Sequence, residues 1–230
     1  MLTRFIRLQV FTFTGLTFCS LQDVTFIINI VVNDEKLEQV REFKYLGQNI
    51  TEDGKTENDV KIRIDIAKTR FQEMSNILTS RHISTNLRLR LAKCYVYSTL
   101  TYGCETRTLS KDSENRINAF EMWVFRRIER IKWTDKITNE EVCRRLNVEK
   151  TLLTDIKTRK LNYFGHVKRH NTIKKDILEA KLEGKRAQGR QRRRWEDDVK
   201  SWTGLNFEEC TRAAGRREDW RAISRLPRNS

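Results

Sequence analysis

Proline is nearly missing from this chain: Pro227 is the only one in 230 residues, beside 9 glycines. So few forced breaks leave room for long helices. No apolar run approaches the ~18 residues that a membrane-spanning helix needs. The five cysteines, Cys19, Cys94, Cys104, Cys143 and Cys210, are odd in number, far apart and never in a C-x-x-C pair. That argues against a disulfide framework and for a reducing compartment, intracellular and either nuclear or cytoplasmic. Motifs that cradle phosphate or raise a serine nucleophile are also lacking: there is no Walker loop, no G-x-G-x-x-G and no G-x-S-x-G.

Positive charge is what the chain has in excess. Lysine and arginine number 46 against 31 acids, for a net charge of +15. Such an imbalance points to a polyanionic partner, and its distribution suits nucleic acid better than a membrane. A solvated, highly charged helical surface would have the same composition. The length allows one or two domains with a real core.

The pattern of the chain changes around residues 40–54. Before them it reads as extended, and after them as helical. Residues 1–23 stand apart: Arg4 and Arg7 precede an apolar run over 8–19 that three threonines and a glutamine dilute, an imitation of a signal peptide. Residues 24–32, β-branched and aromatic, read as a buried strand. Asn33-Asp34 signals a two-residue hairpin turn, with a return strand over 36–40. An isolated hairpin is marginal in water, so this one needs a helical layer or a sheet to pack on. Phe43 and Tyr45 alternate with Lys44 as in a short half-buried strand, and Gly47 and Asp53-Gly54 supply turns. Lys44, Tyr45 and Gly47 are therefore candidates for holding a nucleic-acid backbone. An ordinary edge strand has the same pattern.

From Thr56 the period becomes helical. Val60, Ile64, Ala67, Phe71, Met74 and Leu78 form one stripe. A second helix is expected over 84–102, with Leu87, Leu91, Cys94 or Tyr95, and Ser98 on its inner side, closed by Gly103. A third, over 111–132, carries Ile117, Phe120, Val124, Ile128 and Ile131. Three such helices make a bundle. Thr138 and Glu141 spell a capping box for a short helix ending at Leu146. After a turn over 147–150, a longer helix over 151–170 carries Lys157, Arg159, Lys160, Lys168 and Arg169, with no acid from 157 through 175. Short helix, tight turn and basic helix give the outline of a helix-turn-helix, which also arises in ordinary bundles.

Residues 184–194 are the most basic run: Lys185, Arg186, Arg190, Arg192, Arg193 and Arg194. Arginine forks match phosphate, and each phosphate neutralised releases counterions. Nuclear import and a plain solvated loop are two other readings of such a run. Trp195, Val199 and Trp202 then share a helix face stopped by Gly204, and short helices follow over 206–214 and 218–226, the last anchored by Trp220.

Several of these stretches, taken in order, resemble one family. Tyr45-Leu46-Gly47 is similar to the end of the primer grip, the hairpin that leads from palm to helical thumb in reverse transcriptases of non-LTR (LINE-type) retrotransposons. The family continues with Y-G-C-E-T-W-T, then A-F-E-M-W-x-x-R-R, then W-T-D-x-x-T-N-E-E-V. Here stand Tyr102-Gly103-Cys104-Glu105-Thr106-Arg107-Thr108, then Ala119-Phe120-Glu121-Met122-Trp123 with Arg126-Arg127, then Trp133-Thr134-Asp135 with Thr138-Asn139-Glu140-Glu141-Val142. A G-K-R-x-x-G-R-x-R stretch and W-x-D-D-V-K-x-W close the match. Arg107 stands where the first of these motifs has its tryptophan, a departure expected to loosen packing there. The match runs from about Asn29 to the C-terminus and leaves out residues 1–23, which read as a new start on a shortened frame.

The resemblance implies a mainly α protein: a segment over 24–54 like the primer grip, a thumb-like bundle over 55–132 and a basic helical region over 133–230. It implies RNA-directed DNA synthesis for the full-length enzyme, with Mg2+ held by palm aspartates, and a missing palm and fingers portion for this chain. No Y-x-D-D-type turn between strands is present here, so no cofactor is expected in this chain and no catalysis from it alone. Asp197-Asp198, the one paired aspartate, falls in a helical pattern. Asp198-Val199-Lys200 lacks the strand and upstream acid of a D-x-K nuclease. His166 and His170 lack a cysteine knuckle to complete a zinc site. What remains is binding of RNA, RNA–DNA or DNA duplex, without a membrane. The candidate contacts are Lys44, Tyr45, Gly47, Lys157, Arg159, Lys160, Lys185, Arg186, Arg190, Arg192, Arg193 and Arg194. The alternatives are a helix-turn-helix DNA-binding protein and a non-functional remnant.

Overall fold

A computed structural model describes residues 30–32, 35–45, 47–51, 54, 56–180 and 193–225. Strands come first and helices follow, so the described chain is mainly helical. Strands β1 (Val31–Val32) and β2 (Glu35–Lys36) pair antiparallel, with Val32 opposite Glu35. That register brackets the expected turn at Asn33-Asp34, which with residues 24–29 lies outside the described residues. Among the described residues the strand ends at Lys36, with Leu37 N still donating to the Ile30 carbonyl at 2.9 Å, so the expected return strand over 36–40 is seen only at its start. A second hairpin joins β3 (Glu42–Tyr45) to β4 (Gln48–Thr51), with Tyr45 opposite Gln48. The partner strand β4 was not expected, because Gln-Asn-Ile-Thr shows no apolar alternation. Phe43 and Tyr45 do share a face, their rings 6.5 Å apart.

Helix α1 (Glu57–Glu73) buries Val60, Ile64, Ala67 and Phe71, the stripe its spacing predicts, and Leu78 follows on a short turn. Helix α2 is composite: Thr85–Leu91, a π-wound stretch Ala92–Tyr97 and Ser98–Thr101. Here the expected face is corrected. Leu89, Ala92, Val96, Tyr97 and Leu100 are buried, whereas Leu87, Cys94 and Tyr95 are exposed. Both sets have helical spacing, and one residue added by the π turn swings the face by about 100°.

The chain leaves α2 through Gly103, whose φ of +63° is left-handed and whose missing Cβ is replaced by the Gln48 side chain. Gln48 Nε2 donates to the Gly103 carbonyl at 3.0 Å, which docks the second hairpin on the bundle. Helix α3 (Lys111–Ile128) is capped by Ser110 and buries Ile117, Phe120, Val124 and Ile128 as expected. Helix α4 (Asn139–Leu146) begins at Thr138, whose hydroxyl accepts from Glu141 N. Only half of the expected capping box forms, because the Glu141 carboxylate turns to Arg144 and Arg145, at 2.7 and 2.8 Å. Asn147, at φ +51°, ends the helix.

Helix α5 (Leu152–Arg169) passes through two cores. Its first half adds Leu152 and Ile156 to the core of α1–α4. Its second half adds Leu161 and Phe164 to a second core. After α6 (Ile173–Glu179), that core is completed by Val199 of α7 (Trp195–Thr203), Cys210 and Ala214 of α8 (Phe207–Gly215), and Trp220 of α9 (Arg217–Ser224).

Candidate nucleic-acid interface

A helix packed on two cores has little free surface, and this decides the fate of the cations on α5. Lys160 is 0% exposed. Its Nζ pairs with the Asp198 carboxylate, donates to the Arg107 carbonyl at 2.8 Å, and lies 4.7 Å from the Trp195 ring. Burial pulls the lysine down to about 8, although Asp198 opposes the shift. The expectation that Lys160 contacts nucleic acid is therefore corrected: it is a structural cation of the interior. Asp198, also fully buried, accepts further from Arg193 Nε at 2.6 Å and from Leu109 N at 2.9 Å.

The neighbours of Lys160 are engaged as well. Lys157 pairs with Glu114 at 3.1 Å, and Arg159, though exposed, donates to Thr101 Oγ1 at 3.0 Å. Lys168 is buried against Glu179 at 2.9 Å, and Arg169 donates to the Ala214 carbonyl at 3.0 Å. The helix-turn-helix outline of α4 and α5 is present, but the helix that would enter a groove is the central helix of the fold. Arg107, expected to loosen its surroundings, does the reverse. It is buried, pairs with Asp59 at 2.7 Å and donates to the carbonyls of Leu100 and Tyr102 at 2.9 and 2.6 Å. Three fixed donors on a planar fork hold the end of α2 to the start of α1.

Sequence reasoning missed Glu121. It is buried in α3, and its Oε1 accepts from Thr151 N and Leu152 N at 3.1 and 3.2 Å, capping α5 from a distance. Among the described residues its Oε2 has no partner, and burial raises its pKa above the usual carboxylate value. A lone glutamate within an apolar stripe was the available signal. Asp197-Asp198 sits in α7, as its pattern predicts. Asp197 caps Arg194 N at 2.7 Å. The His166 and His170 rings lie 4.3 Å apart, and among the described residues no three metal-ligating side chains gather.

Of the remaining candidates, Lys44 is exposed on β3, Tyr45 is half-buried, and Gly47 accepts from Arg63 through its carbonyl. Arg193 and Arg194 are both exposed; Arg193 is tied to Asp198 and to Ser201 Oγ at 3.0 Å, and Arg194 lies 3.5 Å from Glu196 Oε1. Lys185, Arg186, Arg190 and Arg192 lie outside the described residues. Five cations and three acids are buried among the described residues, so burial takes away only two units of net positive charge. Among the described residues the outer surface therefore stays net positive.

An open groove of about 730 Å³ separates the second hairpin from the C-terminal helices. Gln48, Asn49 and Thr51 line one side, and Tyr163, Lys174 and Trp195 the other. Ala180 and Arg194, described residues on either side of 181–192, both lie on its wall. Trp133, placed by the sequence only within a motif, is 89% exposed in the loop between Lys132 and Lys136. Among the described residues no helix is long and apolar enough to cross a membrane. No family model, curated protein or solved structure matches the chain.

Proposed function

We propose that this chain is the thumb-like and C-terminal portion of a LINE-type RNA-directed DNA polymerase, and that it binds nucleic acid without catalysing synthesis. The partner is an RNA, RNA–DNA or DNA duplex gripped through shape and phosphates, inside the cell in nucleus or cytoplasm. A palm and fingers portion would supply the Mg2+-binding aspartates. The observation that carries the reading is electrostatic: the fold buries five cations yet leaves its surface strongly basic. The hairpin feeding a helical bundle and the order of the motifs support it.

The test is a salt titration of binding to unrelated RNA–DNA and DNA–DNA duplexes. Replacing Lys185, Arg186, Arg190 and Arg192 by alanine spares Arg193, whose loss would disturb Asp198. For every phosphate no longer neutralised, the slope of log affinity against log salt flattens by about 0.7–0.9. The weakening is expected to be uniform across sequences, since phosphate contacts carry no base readout. Strong preference for one DNA sequence, with an unchanged slope, would favour a helix-turn-helix regulator instead. Primer extension on an RNA template with Mg2+ or Mn2+ is expected to stay at the buffer level.

A further inference from the structure

We infer that Trp133 is a stacking platform for an unpaired base of a bound strand. The inference rests on the nucleic-acid reading and adds to it a site away from the basic run. Each of the other tryptophans has a partner: Trp123 packs on Phe71 and Phe120, Trp195 on Phe164, Trp202 near Lys157, and Trp220 on Phe164. Trp133, at 89% exposure, has neither a ring nor a cation partner among the described residues.

The loop that presents it is pinned. Trp133–Asp135 forms a 3-10 turn between Arg130 and Lys136, which take left-handed φ values of +55° and +48° without being glycine. Asp135 Oδ2 accepts from Lys132 N at 2.8 Å. Arg130 Nε donates to the Thr79 carbonyl at 2.8 Å, and Arg126 to the Ile137 carbonyl at 2.7 Å. Backbone strain of this kind persists only where the surroundings hold it. The indole is thus held out on a fixed support, so a ligand need not order the loop to use it.

The setting suits a nucleotide better than an apolar protein surface. Ile131 and Ile137 turn inward onto the core, and the exposed neighbours are Lys132, Thr134, Asp135 and Lys136. A docking patch for protein would gather several exposed apolar side chains. Here one aromatic side chain is flanked in sequence by two exposed lysines that form no ion pair among the described residues, while Asp135 is spent on the turn. Aromatic faces with flanking cations are how proteins hold single strands irrespective of sequence. Bases inside a duplex have no free face, so the site requires an unpaired base or an open duplex end.

The test uses the full chain with Trp133→Ala and Trp133→Phe. Circular dichroism and melting are expected to be unchanged, because the side chain packs on nothing. A labelled single-stranded oligouridylate and a blunt-ended RNA–DNA duplex are then titrated. Trp133→Ala is expected to weaken oligouridylate binding about 5- to 150-fold, and Trp133→Phe to keep most of it. The salt slope should stay the same, since the indole neutralises no phosphate. Oligouridylate should quench tryptophan emission in wild type and not in Trp133→Ala. Equal oligouridylate affinity in wild type and Trp133→Ala, with duplex binding intact, would overturn this site and leave the wider reading standing. Absence of any binding by wild type at low salt would overturn both. Self-association abolished by Trp133→Ala, with oligouridylate binding unaltered, would assign the indole to a second copy of the chain and overturn the inference.

Discussion

A lysine without water is defined by its partners, and Lys160 has an anion, a carbonyl and two indoles around it. Removing one member of a buried pair costs about 3–5 kcal/mol where it strands the other, and less here because Asp198 keeps Arg193 and the Leu109 amide. Lys160→Ala is therefore expected to lower the unfolding free energy measured by chemical denaturation, by up to about 3 kcal/mol. In the protein that remains folded, the salt slope of nucleic-acid binding should not move. A surface contact would give the opposite pattern. Glu121 is the other buried charge open to test. Burial raises its pKa, while the Thr151 and Leu152 amides pull it part of the way back. Between the unfolded and folded values the folded chain holds a proton that the unfolded chain has lost, so stability falls as pH rises through that window. Glu121→Gln keeps an acceptor for the two amides and cannot ionise. Melting curves across the carboxylate range should show a fall in wild type that the variant lacks. Equal pH profiles would remove Glu121 as the cause.

Elements meet closely where the second core forms. A Cβ on Gly165 of α5 would come within 2.2 Å of Trp220 Cδ1, and the ring cannot yield because its Nε1 donates to the Leu161 carbonyl at 2.8 Å. Gly165→Ala is expected to cost about 1–3 kcal/mol by overpacking, measured by chemical denaturation. Trp220→Ala should cost about 3–5 kcal/mol, and the half-buried Trp195 and Trp202 less. These elements also mark what a sequence can disclose. The stripes of α1 and α3 are local and periodic, and they could be read directly. Helix α2 carries apolar residues on both sides, and only its neighbours and a π turn decide which side is inner. The basic appearance of α5 misled for a similar reason: Lys160 and Asp198 are 38 positions apart, and no local pattern links them. At the interface, Lys44 is exposed but so is Phe43 beside it, so the expected half-buried alternation of β3 is not seen, and the burial of Lys160 depended on tertiary packing.

At the scale of the molecule, inner and outer charges obey different rules. Salt screens exposed charges within a few ångströms at molar strength and buried pairs far less. Raising salt should therefore abolish duplex binding while the melting temperature changes little. A parallel loss of both would mean that the internal pairs are wetter than their burial indicates.

The segment between α2 and α3 reaches across to α7 in two places: the Glu105 carbonyl accepts from Trp195 Nε1 at 2.8 Å, and Leu109 N donates to Asp198. With Trp220 seated on α5, the last three helices are fastened to the rest by packing rather than by the backbone that leads to them. A peptide bond cut anywhere between residues 181 and 192 would then leave two polypeptides behaving as one particle. They would migrate together on a native gel and part only in denaturant, so the continuity of the chain and the integrity of the fold would be separable properties.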